Sequence, residues 1–250
     1  MLEGTLSEAQ VELGSDILSG DSRSDIIFGD TVNSDHLSWR NGDTGEIFVA
    51  GAHDGLNYGG LIDFLTWSNT AGNGLAPTED EIIDYVQDNY LALMDTERVD
   101  GGNDTLRGGG GNDVLIGGGG DDLLIGGSGN DEIWTGFGSD TIAYQPLDAG
   151  STSNPATDEI KDFTLGNIFT GAEADKLDLS DLLENARSDT VSDYLDASQR
   201  GSSTVISVRS EGASGSGVDQ VITLNGISMG GASSDSFLAR LLQDGQLEVS

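Results

Sequence analysis

The sequence predicts a mainly β protein: a parallel β-roll, or solenoid, with a helical insertion and a small α+β or β cap at its C-terminal end. Three observations predict it. Between Val99 and Ala143 one nine-residue phrase recurs five times without a break, as VDGGNDTLR, GGGGNDVLI, GGGGDDLLI, GGSGNDEIW and TGFGSDTIA. Residues 38–98 carry apolar bulk with none of that pattern, and after Ala143 the period stops and aliphatic content rises. A strict period of this length marks a stacked repeat architecture, because one such unit cannot bury its apolar face alone.

Each copy places an Asp sixth (Asp104, Asp113, Asp122, Asp131, Asp140) and an aliphatic residue eighth (Leu106, Leu115, Leu124, Ile133, Ile142). Residues seven to nine form a short strand whose eighth side chain points inward. Glycines at positions one, two and four permit positive φ and close approach of backbone to an ion. Carboxylates and bare loop carbonyls are the hard oxygen donors that calcium takes. The carbonyl-bearing glycines are Gly102, Gly108, Gly109, Gly111, Gly117, Gly118, Gly120, Gly126, Gly127, Gly129, Gly136 and Gly138. Two nonapeptides make one coil, so each loop stacks on the loop two repeats later and an ion lies between them. Residues 99–143 hold fifteen Gly and eight acids against one base, Arg107. Without cation that stretch reads as a disordered linker; calcium binding becomes folding energy.

A degenerate copy precedes the array. GDSRSDIIF (20–28) keeps Asp25 sixth and Ile27 eighth, with Arg23 in place of the fourth glycine. GDTVNSDHLSW needs one inserted residue to bring Asp35 and Leu37 into place. Counting both, seven turns give about five stacked calcium sites.

In the insertion, Trp39 with Phe48, then Leu61, Phe64, Leu65 and Trp67, form apolar clusters ahead of a helix. Thr78 and Glu81 form a capping box behind Pro77, and Ile82, Ile83, Val86, Tyr90, Leu91 and Met94 form the apolar face. The segment reads as a helical cap on the roll. A recognition module that uses Trp39, Tyr58, Trp67, Tyr85 and Tyr90 as stacking faces for glycan or peptide is the alternative. His36 and His53 lack any metal-ligand partner motif and take no role.

The organisation expected is a lead-in over 1–14, the roll over 15–145 with its insertion at 38–98, and a cap with an export signal over 146–250. In the last part STVISVR (203–209) and QVITLNG (220–226) alternate as strands. A helix with Phe237, Leu238, Leu241 and Leu242 ends at Gly245, and QLEVS could add a last strand.

Composition narrows the function. A net charge of −34, from 44 acids and 10 bases, excludes nucleic acid and anionic membrane as electrostatic partners. No Cys is present, so metal replaces disulfide as the cross-link. The N-terminus lacks the basic and apolar regions of a cleavable signal, and its abrupt start reads as a fragment of a longer protein. No H-E-x-x-H occurs and no nucleophile–base arrangement is read from the sequence, so no catalytic site is expected within the chain.

At these residues the chain resembles the C-terminal region of RTX proteins exported by type I secretion systems. The nonapeptides carry the resemblance over 99–143. D-x-I-x-D-F (158–163) and D-K-L-D-L-S-D-L-L (175–183) resemble the segment immediately beyond such arrays in large bacterial adhesins. LARLLQDGQLEVS (238–250) resembles their uncleaved export signal. The resemblance covers residues 15–37 and 99–250. It implies a monomeric, non-catalytic module that folds on calcium outside the cell, exported C-terminus first by an ABC transporter and secreted or kept at the cell surface. In that family the sixth-position Asp and early-loop carbonyls bind the ion; Asp100 and Thr135 depart from glycine, and Arg23 puts the first turn in doubt. A C-terminal RTX segment of a secreted hydrolase with an upstream catalytic domain is the other reading.

Overall fold

The computed structural model describes residues 16–30, 32, 34, 37–40, 47–48, 57–69, 76–94, 101–170, 173–183, 186–188, 190–212 and 217–250. Asp35, His36, His53, Val99, Asp100 and the lead-in over 1–14 lie outside them. In chain order the elements begin with β1 (Ile17–Ser19), β2 (Ile26–Phe28), β3 (Trp39–Arg40), β4 (Ile47–Phe48), α1 (Asn57–Asn69) and α2 (Glu79–Leu93). The strict repeats give β5 (Thr105–Gly110), β6 (Val114–Gly119), β7 (Leu123–Ser128), β8 (Glu132–Phe137) and β9 (Thr141–Ala143). Beyond them come β10 (Ala156–Ile160), β11 (Lys176–Asp178), α3 (Val191–Tyr194), β12 (Leu195–Arg200), β13 (Ser203–Val208), β14 (Gln220–Leu224), α4 (Ser234–Gln243) and β15 (Leu247–Glu248).

Alternate repeats go to opposite sheets. One sheet runs β1-β5-β7-β9-β11-β15, the other β12-β13-β14-β10-β8-β6-β2. Repeats two apart are parallel neighbours in register: Leu106 faces Leu124 and Leu115 faces Ile133, each eighteen residues on. Strands β5 to β8 are longer than positions seven to nine. They continue through the first three residues of the next repeat, so Gly109 pairs with Gly127 and Gly118 with Gly136. Glycine backbone can be pleated and bonded there because no side chain crowds the narrow edge of the roll.

Every eighth residue is inside. Leu106, Leu115, Leu124, Ile133 and Ile142 are fully buried, and Ile27, Ile160 and Leu177 extend the same stack. Leu124 sits mid-stack with neighbours on both sides, so Leu124→Ala should cost about 3–5 kcal/mol of unfolding free energy in calcium, read by denaturant titration.

The roll does not stop with the repeats. β10 pairs with β8 and β11 with β9, both parallel, and one core runs from Ile27 to Val249. The expected pair of strands is the antiparallel β13–β14 hairpin, and QLEVS does add a strand, β15, parallel to β11. Nothing in the sequence pattern signals β12, whose LDASQR alternates weakly.

The insertion leaves and rejoins a single loop. Gly29 and Asp30 begin it, and Gly101 to Asp104 finish it, with the Asp30 carboxylate accepting the N–H of Gly102 (3.4 Å) and of Gly119 (2.7 Å). Leu37, expected as an eighth-position residue of the roll, lies instead in a second core with Val32, Leu61, Leu65, Ile82, Val86 and Leu93. The chain has already left the roll after Asp30, so the helices claim Leu37.

The capping box of α2 is present, with the Thr78 N–H donating to Glu81 (2.8 Å) and the Glu81 N–H to Thr78 Oγ1 (3.3 Å). Its buried stripe is Ile82, Val86 and Leu93; Leu91, expected inward, is 56% exposed. Positions 82, 86 and 93 share one face at 3.6 residues per turn, and 91 falls off it. Helix α1 was not expected, since Gly59 and Gly60 weaken its pattern.

Candidate metal centre

The narrow edges of the roll carry two rows of aspartates, each row climbing one edge. On the first, the N–H of Asp25 donates to Asp113 Oδ1 (2.8 Å), that of Asp113 to Asp131 Oδ1 (2.9 Å), and that of Asp131 to Asp158 Oδ1 (2.8 Å). On the second the same bond joins Asp16 to Asp104 (2.6 Å), Asp104 to Asp122 (2.7 Å), Asp122 to Asp140 (2.8 Å) and Asp140 to Asp175 (3.1 Å). One oxygen of each carboxylate thus fixes the turn below it. The structure therefore brings together the expected Asp104, Asp113, Asp122, Asp131, Asp140 and Asp25, and adds Asp16, Asp158 and Asp175.

The second oxygen is the informative one. Oδ2 of Asp104, Asp113, Asp122, Asp131 and Asp140 is buried and has no hydrogen-bond partner. An anionic oxygen held dry and unpartnered is costly and calls for a cation. At the row ends protein donors serve instead: Asp25 Oδ2 accepts the Asp21 N–H (2.9 Å), Asp158 Oδ2 the Gln220 amide (2.7 Å), and Asp175 Oδ2 the Thr164 N–H (2.7 Å).

Glycine at position one shapes the space around that oxygen. A Cβ on Gly108 would come within 2.4 Å of both Asp113 Oδ2 and the Gly126 carbonyl oxygen. On Gly117 it would lie 2.5 Å from Asp122 Oδ2 and 2.3 Å from the Thr135 carbonyl oxygen. Gly29 stands in the same relation to Asp104 and Gly117, and Gly20 to Asp25 and Gly108. Each cradle thus joins one carboxylate, its own loop and a carbonyl of the loop eighteen residues on, or across the insertion.

Positive φ is confined to positions two and four: Gly109, Gly111, Gly118, Gly120, Gly127, Gly129, Gly136 and Gly138. Position one needs glycine for room, not for φ, which corrects the expectation for Gly108, Gly117 and Gly126. Gly102 is likewise absent from the positive-φ set, but its carbonyl lies 2.1 Å from where a Gly120 Cβ would be. Among the described residues no three carboxylate or imidazole side chains form a cation cluster. Carbonyls must complete any sphere here, and the cradles supply them.

Burial also governs the charge of these groups. It lifts Asp104 and Asp113 to about 6, Asp122 to about 7 and Asp131 to about 8. Asp140 is pushed up furthest, by burial and then by Asp175 against it. A bound divalent cation would reverse that direction.

Two features depart from expectation. Thr135, at position one, fills its cradle with a side chain whose hydroxyl donates to Asp162 Oδ1 (3.0 Å) and Asp175 Oδ2 (3.2 Å). Arg23 does not displace the first turn; its guanidinium turns to Asp21. The sequence signal for the added rungs is the same D-x-aliphatic triplet: Asp16–Leu18 in VELGSDILS, Asp158–Ile160 and Asp175–Leu177. Fifth-position side chains add a second ladder to each edge, accepting the N–H two repeats on: Asn103 from Asp121 (3.0 Å) and Asp121 from Ser139 (2.9 Å) on one, Asn112 from Asn130 (3.0 Å) on the other.

Known proteins share this pattern. The family model of the RTX calcium-binding nonapeptide repeat, four copies long, matches residues 12–31, 99–133 and 108–142. No curated protein matches the chain. Two solved structures similar to it are repeat subunits of the mannuronan C5-epimerase of Azotobacter vinelandii. The AlgE6R3 subunit is 29% identical, over 52% of this chain and 70% of that one, with a TM-score of 0.38. The AlgE6R2 subunit is 30% identical, over 54% and 79%, again with a TM-score of 0.38. The nonapeptide match takes in Asp16, Asp25 and the five repeat aspartates from Asp104 to Asp140, so this chain carries RTX-type calcium-binding repeats.

Proposed function

We propose that the chain is a non-catalytic, calcium-dependent folding and type I secretion module from the C-terminal part of a large extracellular RTX adhesin. The observation that carries this reading is the set of five buried, unpartnered Oδ2 atoms, three of them in a cradle shared with a backbone carbonyl of the facing loop. Asp104, Asp113 and Asp122 hold calcium there with the carbonyls of Gly117, Gly126 and Thr135 respectively. The ion supplies positive charge; the chain orients one carboxylate oxygen with a backbone N–H and leaves the other for the metal. At the low calcium of a cytosol the carboxylates repel and the array stays open for export. Extracellular calcium modules bind at about 10⁻⁴–10⁻³ M, which separates the two compartments.

The tail fits an ABC transporter as partner only before folding, because α4 buries Phe237, Leu238 and Leu241 and β15 is part of the sheet. No helix among the described residues is long and apolar enough to cross a membrane. In the insertion, Phe64 packs on Trp67 and Tyr85, and Tyr90 donates to Glu132 of the roll (2.8 Å). Those contacts favour a docked cap over an open sugar-stacking face.

The test is far-UV circular dichroism of residues 1–250 during a calcium titration with magnesium as control. A cooperative gain of strand, specific to calcium and complete by millimolar concentration, is expected. A chain fully folded in chelator would end the export-coupled reading.

A further inference from the structure

The insertion divides one cradle of the second aspartate row. Gly29 donates its N–H to the Ile116 carbonyl (2.8 Å), as Gly20 does to that of Arg107 (2.8 Å), so the chain enters a repeat loop before it departs. A Cβ on Gly29 would meet the Gly117 carbonyl oxygen at 2.4 Å and Asp104 Oδ2 at 2.7 Å. Gly108 stands in that relation to Gly126 and Asp113 within one unbroken loop. Read without residues 31–100, Gly29 and Asp30 run into Gly101, Gly102, Asn103 and Asp104 as the first six positions of a single nonapeptide. The cradle is therefore split: its position-one glycine comes before the insertion and its sixth-position carboxylate after it.

The same few residues root the helical core. Phe28, directly before Gly29, packs with Ile26 against that core, and Val32, two residues past Asp30, belongs to it. The Asp30 carboxylate holds the returning chain through the Gly102 N–H and the facing loop through the Gly119 N–H. Farther along, Tyr90 of α2 reaches the roll at Glu132. Within the cradle, Asp104 is 2% exposed and its Oδ2 has no hydrogen-bond partner. A buried anionic oxygen beside a backbone carbonyl is a place for a cation, and here it lies at the point where the insertion leaves and rejoins the roll.

We propose that the ion taken by Asp104 Oδ2 and the Gly117 carbonyl fastens the insertion: bound there, it fixes Gly29 and Asp30 against Gly101 to Asp104 and so docks α1 and α2 on β2. Loop-closure entropy grows only with the logarithm of loop length, so one ion can offset the closing of a segment this long. An ion that binds the closed arrangement alone stabilises it by mass action. The cradles at Asp113 and Asp122 lie within unbroken repeats and carry no such load. That the ion is calcium rests on the proposed function of the array; the coupling itself rests on the split cradle. Any face built on the two helices is then presented only at calcium levels that fill this one site.

Hydrogen exchange of residues 1–250, followed by mass spectrometry across a calcium titration, tests it by comparing α2 with β7 and β8. In chelator all three are expected to exchange freely. Gly29 is absent from the positive-φ set, so Gly29→Ala crowds the cradle without straining the backbone. It should raise the calcium needed to protect α2 about tenfold. Strands β7 and β8 should shift by less than about twofold, because stacked repeats depend on their neighbours. In Gly108→Ala, which crowds an unbroken cradle, the strands should shift at least as far as α2. A shift of α2 no greater than that of the strands in Gly29→Ala would overturn the coupling. In the wild type, α2 protected in chelator while the strands exchange would overturn the coupling alone. Strands protected in chelator would overturn the array reading, and the coupling with it. Should Gly29→Ala not fold, Asp104→Ala is read in the same way.

Discussion

Gly117→Ala is expected to raise the calcium midpoint of folding by about one to two orders of magnitude. The new Cβ would sit 2.5 Å from Asp122 Oδ2 and 2.3 Å from the Thr135 carbonyl oxygen. Neither can step aside: Asp122 Oδ1 is tied to the Asp104 N–H, and Thr135 belongs to β8, with its N–H on Asp162. Overpacking of this kind costs about 1–3 kcal/mol, and about 1.4 kcal/mol is tenfold in an equilibrium. Gly117 has an ordinary φ, so backbone strain plays no part in the effect. The matched control is Gly201→Ala, at φ +63 with nothing within 4 Å of the added carbon. That change should cost about 1–2 kcal/mol from the left-handed backbone alone and leave calcium affinity per site intact. Calcium titration followed by circular dichroism compares the two. Equal midpoint shifts would mean that the cradle is not where the ion binds.

The second large effect is a reversal of pH dependence by calcium. Asp104 and Asp113 titrate at about 6, Asp122 at about 7 and Asp131 at about 8 in the folded chain, all raised by burial from a usual value of 3.8. A raised folded value means that the folded state holds more protons than the unfolded one. Stability from these groups is therefore complete below about pH 4 and is lost as pH rises through about 6 to 8. In chelator, acidification from pH 8 to pH 5 should stabilise the roll, protons standing in for ions. In calcium the sign inverts, because ligand carboxylates must be ionised, and acidification should raise the calcium midpoint. Denaturant titrations at both pH values, with and without calcium, check the crossing. Parallel pH trends in the two conditions would show that the buried Oδ2 atoms are not the ligands.

The roll was legible because its determinants are local and periodic. An aliphatic residue every ninth position, Asp two before it and glycines at fixed offsets can encode little else. What stayed hidden is set by contacts across the repeat. The role of position one could not be told from that of position two, since both are glycine; only the neighbouring loop reveals that one needs space and the other needs φ. Asp158 and Asp175 carry the D-x-aliphatic signal, but the detours 144–155 and 162–174 break the period that would have exposed them. Leu37 matched the eighth-position template after an inserted residue, and the helices claimed it because the loop departs at Asp30. Short templates with an allowed slip match too easily. Leu91 fits a loose apolar face, and only the packing of Leu93 fixes the phase of α2.

The last strand lies beside the last rung. Gln246, 1% exposed, donates to the Thr164 and Asp175 carbonyls, and Leu247 pairs with Leu177. If this segment is the address a transporter reads, closing the second row also hides the address. The molecule would then be a single-use letter: posted with its label outermost, and sealed over that label once it is opened into calcium.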